Sequence, residues 1–323
     1  TDTGHKFMMY TWGGMIGVVS GMNEKGITVT INAGKSKIPL VAKTPISLVA
    51  REILQYAATT EEAIAIARKR EVFVSEAIMV GSAAERKAIL IEVSPNNFGV
   101  YDVGNSSRLI CSNHFQSEEY KDDRRNLKTL EESHTQYRFN KMEELLDRES
   151  ALGEPLGMGN EKAINQLLAH HGIIFKPEEG KVWLSANPYQ LGAFVAFDIH
   201  DAFKRFASGP QKQSVLDPEN TIPQDEFVIS REFRDYKEFR TLSQEVARAL
   251  ALNQDPGEEK LQRIVQLNPH FWRSWALAGE YYYKNKDYKK AVIHFKQALK
   301  REVTTLPDEE WLEKMIKKSY RKI

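Results

Sequence analysis

KFMMYTWGGMIGVVSGMNEKGITVTINAGKS, Lys6 to Ser36, is rich in aromatic and β-branched residues and is broken at Gly13-Gly14 and at Asn23-Glu24-Lys25-Gly26. That alternation of β-formers and turn residues predicts three short antiparallel strands. Downstream, Thr44-Pro45 opens PISLVAREILQYAA, where Pro45 suits the first helical position and Ile46, Val49, Ala50, Ile53, Leu54 and Ala57 recur on one face. Thr59 followed by Glu62 forms a capping-box signature for a second helix, EEAIAIARKR, whose basic end complements the helix dipole. Next come FVSEAIMVGSA, RKAILIEVS, FGVYDV and RLICSNHF, short runs that read as a second antiparallel sheet. AIMVGS and AILIEVS barely alternate, as expected of strands covered on both faces. Strands, two helices, then strands describe a layered α+β domain.

Further along, helices are expected at Tyr137 to Arg148 and at Glu161 to His171, and a late hairpin at KVWLSANPYQLGAFVAFDI. Composition shifts at Ser208-Gly209-Pro210 and stays irregular to Pro223. The expected division is therefore a first domain over 1–208, a linker over 209–232 and an all-helical domain over 233–323. Within the last, NPHFWRSWALAGEYYYKNKDYKKAVIHFKQALKR (Asn268 to Arg301) resembles one tetratricopeptide repeat, with Ala276, Leu277, Ala278, Tyr288, Ala291, Phe295 and Ala298 at its helix-packing spacing. One repeat either packs on neighbouring helices or offers a groove to a protein partner.

With 323 residues, 41% apolar and 10% aromatic, the chain has material for two packed units. Its longest apolar runs are too short to span a bilayer. Lys+Arg 45 against Asp+Glu 44 gives a net charge of +1, so no global field selects nucleic acid or an anionic surface. The single cysteine, Cys111, excludes an internal disulfide and a multi-cysteine metal site, and leaves the compartment open. An exported protein remains compatible with the text if a signal lies upstream.

There is no P-loop, dinucleotide-binding glycine fingerprint, HExxH or GxSxG in the chain. His170-His171 would point to different faces of a helix and do not suggest a metal site. Two other stretches carry more: GMNEKGITVTINAGKS (Gly21 to Ser36) and ICSNHFQ (Ile110 to Gln116). The first resembles the G-x-N-x-x-G-[LIV] segment of the bile salt hydrolase and penicillin acyltransferase superfamily of N-terminal-nucleophile hydrolases. The second resembles that group's T-N-H segment, and Glu92-Val93-Ser94-Pro95 resembles the E-x-S-P strand of its acyltransferase branch. These segments stand in the family's order, and the resemblance covers roughly Phe7 to Phe203.

The resemblance implies a four-layer αββα sandwich, incomplete at its amino terminus, and hydrolysis or transfer of a small-molecule acyl amide without metal or organic cofactor. It assigns Asn32 and Asn113 to the oxyanion hole, where a side-chain amide donates to developing negative charge without ionising. On residues alone, either asparagine could simply close a strand or turn. His114 fits the acyltransferase branch, in a core or a catalytic role. Arg138 matches the first arginine of the branch's S-x-x-R-x-x-R helix, although Thr135 replaces the serine and Lys141 the second arginine. In the family a cysteine becomes the mature amino terminus by self-cleavage, its thiol attacking while its own α-amine serves as base. No such residue stands in these 323, so the nucleophile is expected upstream and these residues alone are expected to be inactive. Cys111 is internal and reads as a small buried thiol; in a strand, alternation would put it on one face with Asn113. Two alternatives stay open: Thr1 as an N-terminal nucleophile, and a non-catalytic binding protein on the same scaffold.

Overall fold

The computed structural model describes residues 3–34, 41–148, 167–169, 171–207, 209 and 214–323. Contacts divide the chain into two compact units, one of 1–130 with 135–225 and one of 131–134 with 226–323.

In the first unit, strands β1 (Phe7–Tyr10), β2 (Ser20–Asn23) and β3 (Ile27–Ala33) form the expected antiparallel meander. Its second turn shows what the GMNEKG text is for. Asn23 is fully buried; its amide donates to the carbonyls of Leu54 and Ala57 at 2.9 and 2.8 Å, and its oxygen accepts from the N–H groups of Lys25 and Ile27. One side chain thus closes the turn and satisfies carbonyls at a helix end that would otherwise lack partners. Gly26 completes the turn at φ +78, a conformation that disfavours a side chain.

Helices α1 (Ile46–Tyr56) and α2 (Thr60–Arg68) follow. Pro45 sits just before α1 rather than in its first turn. At α2, Thr59 accepts from the Glu62 N–H at 3.1 Å, while the Glu62 carboxylate accepts from the Ala58 N–H at 2.7 Å. The capping box is therefore built, with its return bond shifted one residue upstream.

Strands β4 (Glu76–Ser82), β5 (Lys87–Ser94) and β6 (Asn97–Asp102) were expected as a second sheet, but they extend the first into one of order β1-β2-β3-β4-β5-β6. The helix pair returns the chain so that β4 pairs with β3 along its whole length, from Ile27↔Ser82 to Ala33↔Glu76. RLICSNHF forms no strand.

A second, four-stranded antiparallel sheet has the order β10-β9-β8-β7, from β7 (Ile173–Lys176), β8 (Lys181–Ser185), β9 (Phe194–Asp198) and β10 (Leu216–Ile222). β8 and β9 are the expected hairpin, whereas β10 lies inside the stretch read as a linker. It pairs with β9, so polar composition alone misplaced it. A 3-10 turn (Glu118–Tyr120) and helices α3 (Arg124–Glu132), α4 (Thr135–Arg148) and α5 (Ile199–Ala207) complete the described elements up to Ala207, and most of the helix expected at 161–171 lies outside the described residues.

The six-stranded sheet has two different faces. Ile27, Val29, Ile78, Val80, Ile89, Ile91 and Val93 pack beneath Val49, Ala50, Ile53, Leu54, Ala63 and Ala67 of α1 and α2. On the opposite face, Met8 and Met22 meet Ile173, Phe175 and Val182 of the second sheet.

The second unit is helical: α6 (Arg231–Ala251), α7 (Glu258–Leu267), α8 (Trp272–Lys284), α9 (Tyr288–Leu299) and α10 (Leu306–Tyr320). The repeat-like text becomes α8 and α9, with Ala276, Ala291, Phe295 and Ala298 fully buried in one cluster with Leu312 of α10. Among the described residues no helix is long and apolar enough to cross a membrane.

Candidate active site

The site grows from the sheet face opposite α1 and α2. Residues directly opposed across antiparallel strands share a face, so Asn32↔Ala77, Ala77↔Glu92 and Glu92↔Gly99 define one row across β3 to β6. Over that row lies the irregular segment 110–117. Gly99 admits it, since a Cβ there would stand 2.1 Å from the Ser117 hydroxyl.

The segment fails to become a strand because side chains, not a neighbouring strand, take its backbone donors. The Asn113 N–H donates to Thr135 Oγ1 at 2.7 Å, the Phe115 N–H to Asn126 Oδ1 at 2.8 Å, and the N–H groups of Gln116 and Ser117 to the Glu92 carboxylate at 2.7 and 2.8 Å. The Asn126 amide returns a bond to the Phe115 carbonyl at 2.9 Å.

Asn32 and Asn113 meet at the end of β3. The Asn113 amide donates to the Ala33 carbonyl at 2.7 Å, and the Asn32 amide donates to Cys111 Sγ at 3.0 Å. Arg138, one turn along α4 from Thr135, donates to Asn113 Oδ1. Its Nε is buried without a hydrogen-bond partner among the described residues, and burial lowers its proton affinity. The S-x-x-R spacing now has a physical meaning. Residues three apart share a helix face, so Thr135 takes the backbone of Asn113 while Arg138 takes its side chain.

His114 turns away from the two amides. It is buried, its Nδ1 lies 3.0 Å from Thr135 Oγ1, and its ring stands 5.3 Å from that of Phe139. Burial, reinforced by the nearby Arg138 charge, lowers its pKa and favours neutral imidazole. The structure therefore groups Asn32, Asn113, Arg138 and Cys111, with His114 on the α4 side of the segment. Thr1 lies outside the described residues.

Cys111 is held as a thiol. Burial pushes it up to about 12; the Asn32 donor opposes this, the Glu92 charge adds to it, and Arg138 opposes again. A protonated sulfur that accepts from Asn32 is a weak nucleophile at neutral pH. The strand assumed for Cys111 and Asn113 does not form, yet both side chains reach the end of β3, one at Asn32 and the other at the Ala33 carbonyl.

Three contributors were assigned no part in the site from the sequence: Asn126, Glu92, which entered only through the E-x-S-P match, and Thr135, which entered only as the replacement for a serine. Glu92 did leave a signal, being the lone carboxylate in the apolar run AILIEVS. Among the described residues, no three His, Cys, Asp or Glu side chains gather as a metal site.

Residues 1–178 match the family model of acyl-coenzyme A:6-aminopenicillanic acid acyl-transferase. Among solved structures, a mutant conjugated bile acid hydrolase from Clostridium perfringens is 14% identical, over 62% of this chain and 78% of that one, at a TM-score of 0.38. The Caenorhabditis elegans ortholog of N-acylethanolamine-hydrolyzing acid amidase is 17% identical, over 56% and 80%, at a TM-score of 0.30. No curated protein matches the chain. At such TM-scores the structural likenesses carry no weight, whereas the family match spans more than half of the residues. The chain belongs to the acyl-coenzyme A:6-aminopenicillanic acid acyl-transferase family.

Proposed function

We propose that the intact protein cleaves a linear amide, or transfers its acyl group, through a cysteine thioester, with Asn32 and Asn113 donating to the oxyanion. One observation carries this reading: two side-chain amides from distant parts of the sequence converge at the end of β3, tied to Cys111 and the Ala33 carbonyl. Attack of a thiolate on an amide carbonyl places negative charge on oxygen, and a fixed N–H donor there is worth about 3 kcal/mol of barrier. Collapse breaks the C–N bond, the amine leaves with a proton, and a thioester remains for water or a second amine.

The nucleophile in this scheme is a cysteine at a mature amino terminus, outside these 323 residues, whose α-amine accepts the thiol proton and passes it to the leaving amine. Cys111 is unsuited, because its proton is held to about 12 and an internal residue has no free α-amine. Arg138 engages the carbonyl end of the Asn113 amide, and of its two N–H bonds one is taken by the Ala33 carbonyl, which leaves the other to face the reacting carbonyl. The scaffold we propose is the four-layer αββα sandwich, supported by α1 and α2 on the six-stranded sheet and by the second sheet against its other face.

The test has two parts. Mass and amino-terminal sequencing of the mature protein should find cysteine at its first position. The same preparation should hydrolyse at least one of glycocholate, phenoxymethylpenicillin, N-lauroylglycine and an N-acyl p-nitroanilide, and should lose that activity on Asn32→Ala substitution or on acetylation of the amino terminus. A mature protein without an amino-terminal nucleophile, or turnover indifferent to Asn32→Ala, would sink the proposal.

A further inference from the structure

We infer that Glu92 is a positioning residue of the active site, whose carboxylate sets the height and tilt of the segment presenting Asn113. This rests on the proposed role of Asn113. Four observations converge on it.

Glu92 is 0% exposed, in the same cross-strand row as Asn32 and on the same face. Its two oxygens are divided between consecutive backbone donors, Oε1 taking the Gln116 N–H at 2.7 Å and Oε2 the Ser117 N–H at 2.8 Å. Neighbouring anchors come from other elements, Asn126 of α3 at Phe115 and Thr135 of α4 at Asn113. Finally, Gln116 Nε2 donates to the Ile110 carbonyl at 2.7 Å, joining the two ends of the segment that contains Cys111 and Asn113.

A buried carboxylate is costly unless its charge is solvated by donors. Two N–H groups of one segment provide that solvation, so the segment cannot shift without stripping the charge of both. The same carboxylate that is a poor choice for a strand core is therefore a stiff clamp for a loop, with charge-assisted bonds stronger than neutral ones. Asn32 and Glu92 stand on the rigid sheet, with Asn113 on the loop. Glu92 links the two frames, which fixes the separation of the oxyanion donors. A misplacement on the scale of 1 Å at such a site can cost about 100-fold in rate.

The experiment compares Glu92→Gln, Glu92→Asp, Asn113→Ala and Ile91→Val in the intact enzyme, with an N-acyl p-nitroanilide as substrate and backbone amide exchange at Gln116 and Ser117 as a readout independent of activity. Gln keeps the shape but leaves one N–H facing an NH2 group. Glu92→Gln is expected to speed exchange at these two amides by about tenfold or more and to lower kcat by roughly 10- to 100-fold with KM within a factor of about two. Glu92→Asp, which keeps the charge, should recover part of kcat. Ile91→Val, on the same strand but the opposite face, should lower the melting temperature and leave kcat unchanged.

Unchanged exchange at Gln116 and Ser117 in Glu92→Gln overturns the inference, as does a kcat loss matched by Ile91→Val at equal loss of stability. If Asn113→Ala abolishes turnover and Glu92→Gln does not affect it, positioning by Glu92 fails while the proposed function stands. Full turnover by Asn113→Ala overturns the functional reading itself.

Discussion

The two faces of the six-stranded sheet are made by the same strands and serve opposite ends. Toward α1 and α2, Ile27, Val29, Ile78, Val80, Ile89 and Ile91 form an apolar surface with almost no exposure. Its energy is burial and close packing, and any residue of similar shape satisfies it approximately. Toward the second sheet, the row Asn32, Ala77, Glu92, Gly99 combines an amide, a methyl, a carboxylate and a bare backbone. Each of these is matched to one feature of the segment above, and none is interchangeable. Alternation lets one strand do both, because side chains on the two faces vary independently. The difference teaches that stability and chemistry can be perturbed separately within one sheet.

The largest effect that separates the faces should come from the apolar one. Ile91→Ala removes buried methylenes beneath α1 and α2 and should cost about 2–5 kcal/mol in urea unfolding, with kcat of the folded fraction unchanged. On the other face, Asn113→Ala should raise the barrier by about 3 kcal/mol, read as kcat at constant KM, while moving the melting temperature far less than Ile91→Ala. Arg138→Met should be milder, lowering kcat roughly tenfold by releasing the Asn113 amide rather than removing it.

Glu76 sharpens the comparison because it is a carboxyl at the end of the apolar face, paired in register with Ala33 and Val93. Burial pushes it up from 4.5 to about 7, against the Gly34 N–H, and its Oε2 has no hydrogen-bond partner among the described residues. The folded state thus holds this proton more tightly than the unfolded chain. The associated stability is complete below pH 4.5 and is lost as pH rises toward about 7. Glu76→Gln should therefore gain on the parent as pH goes from 5 to 8, seen as a widening difference in melting temperature. The smallest effect is expected at Cys111→Ala, which removes a protonated sulfur and should leave turnover close to the parent's. Loss of turnover there, with the fold intact, would return the nucleophile to this chain.

Much of the first unit was legible because its signals are local. The β2–β3 turn is written in Asn23 and Gly26, the second helix in Thr59 and Glu62, and the late hairpin in two β-rich runs. Pairing was not local. Nothing in FVSEAIMVGSA states that it joins β3 rather than starting a new sheet, since that depends on where α1 and α2 return the chain. LDPENTI (Leu216–Ile222) reads as a linker by composition and becomes a strand because β9 offers it an edge. RLICSNHF reads as a strand and stays irregular because Thr135 and Asn126 take the N–H groups of Asn113 and Phe115, and Glu92 holds those of the next two residues, Gln116 and Ser117.

At the site, residue types alone did not single out Asn32, Asn113, His114 and Arg138; the likeness of their ordered segments to a known family did. Periodicity and turn chemistry act over a few residues and leave their mark in the text. What the sequence could not state is which of these side chains meet. Tertiary structure decided that Asn113 reaches the Ala33 carbonyl, that Arg138 holds its oxygen, that His114 faces Phe139, and that Cys111 rests against Asn32 with its proton held. Those contacts join residues as much as 80 positions apart, and they follow from sheet register and burial, which only the folded chain possesses.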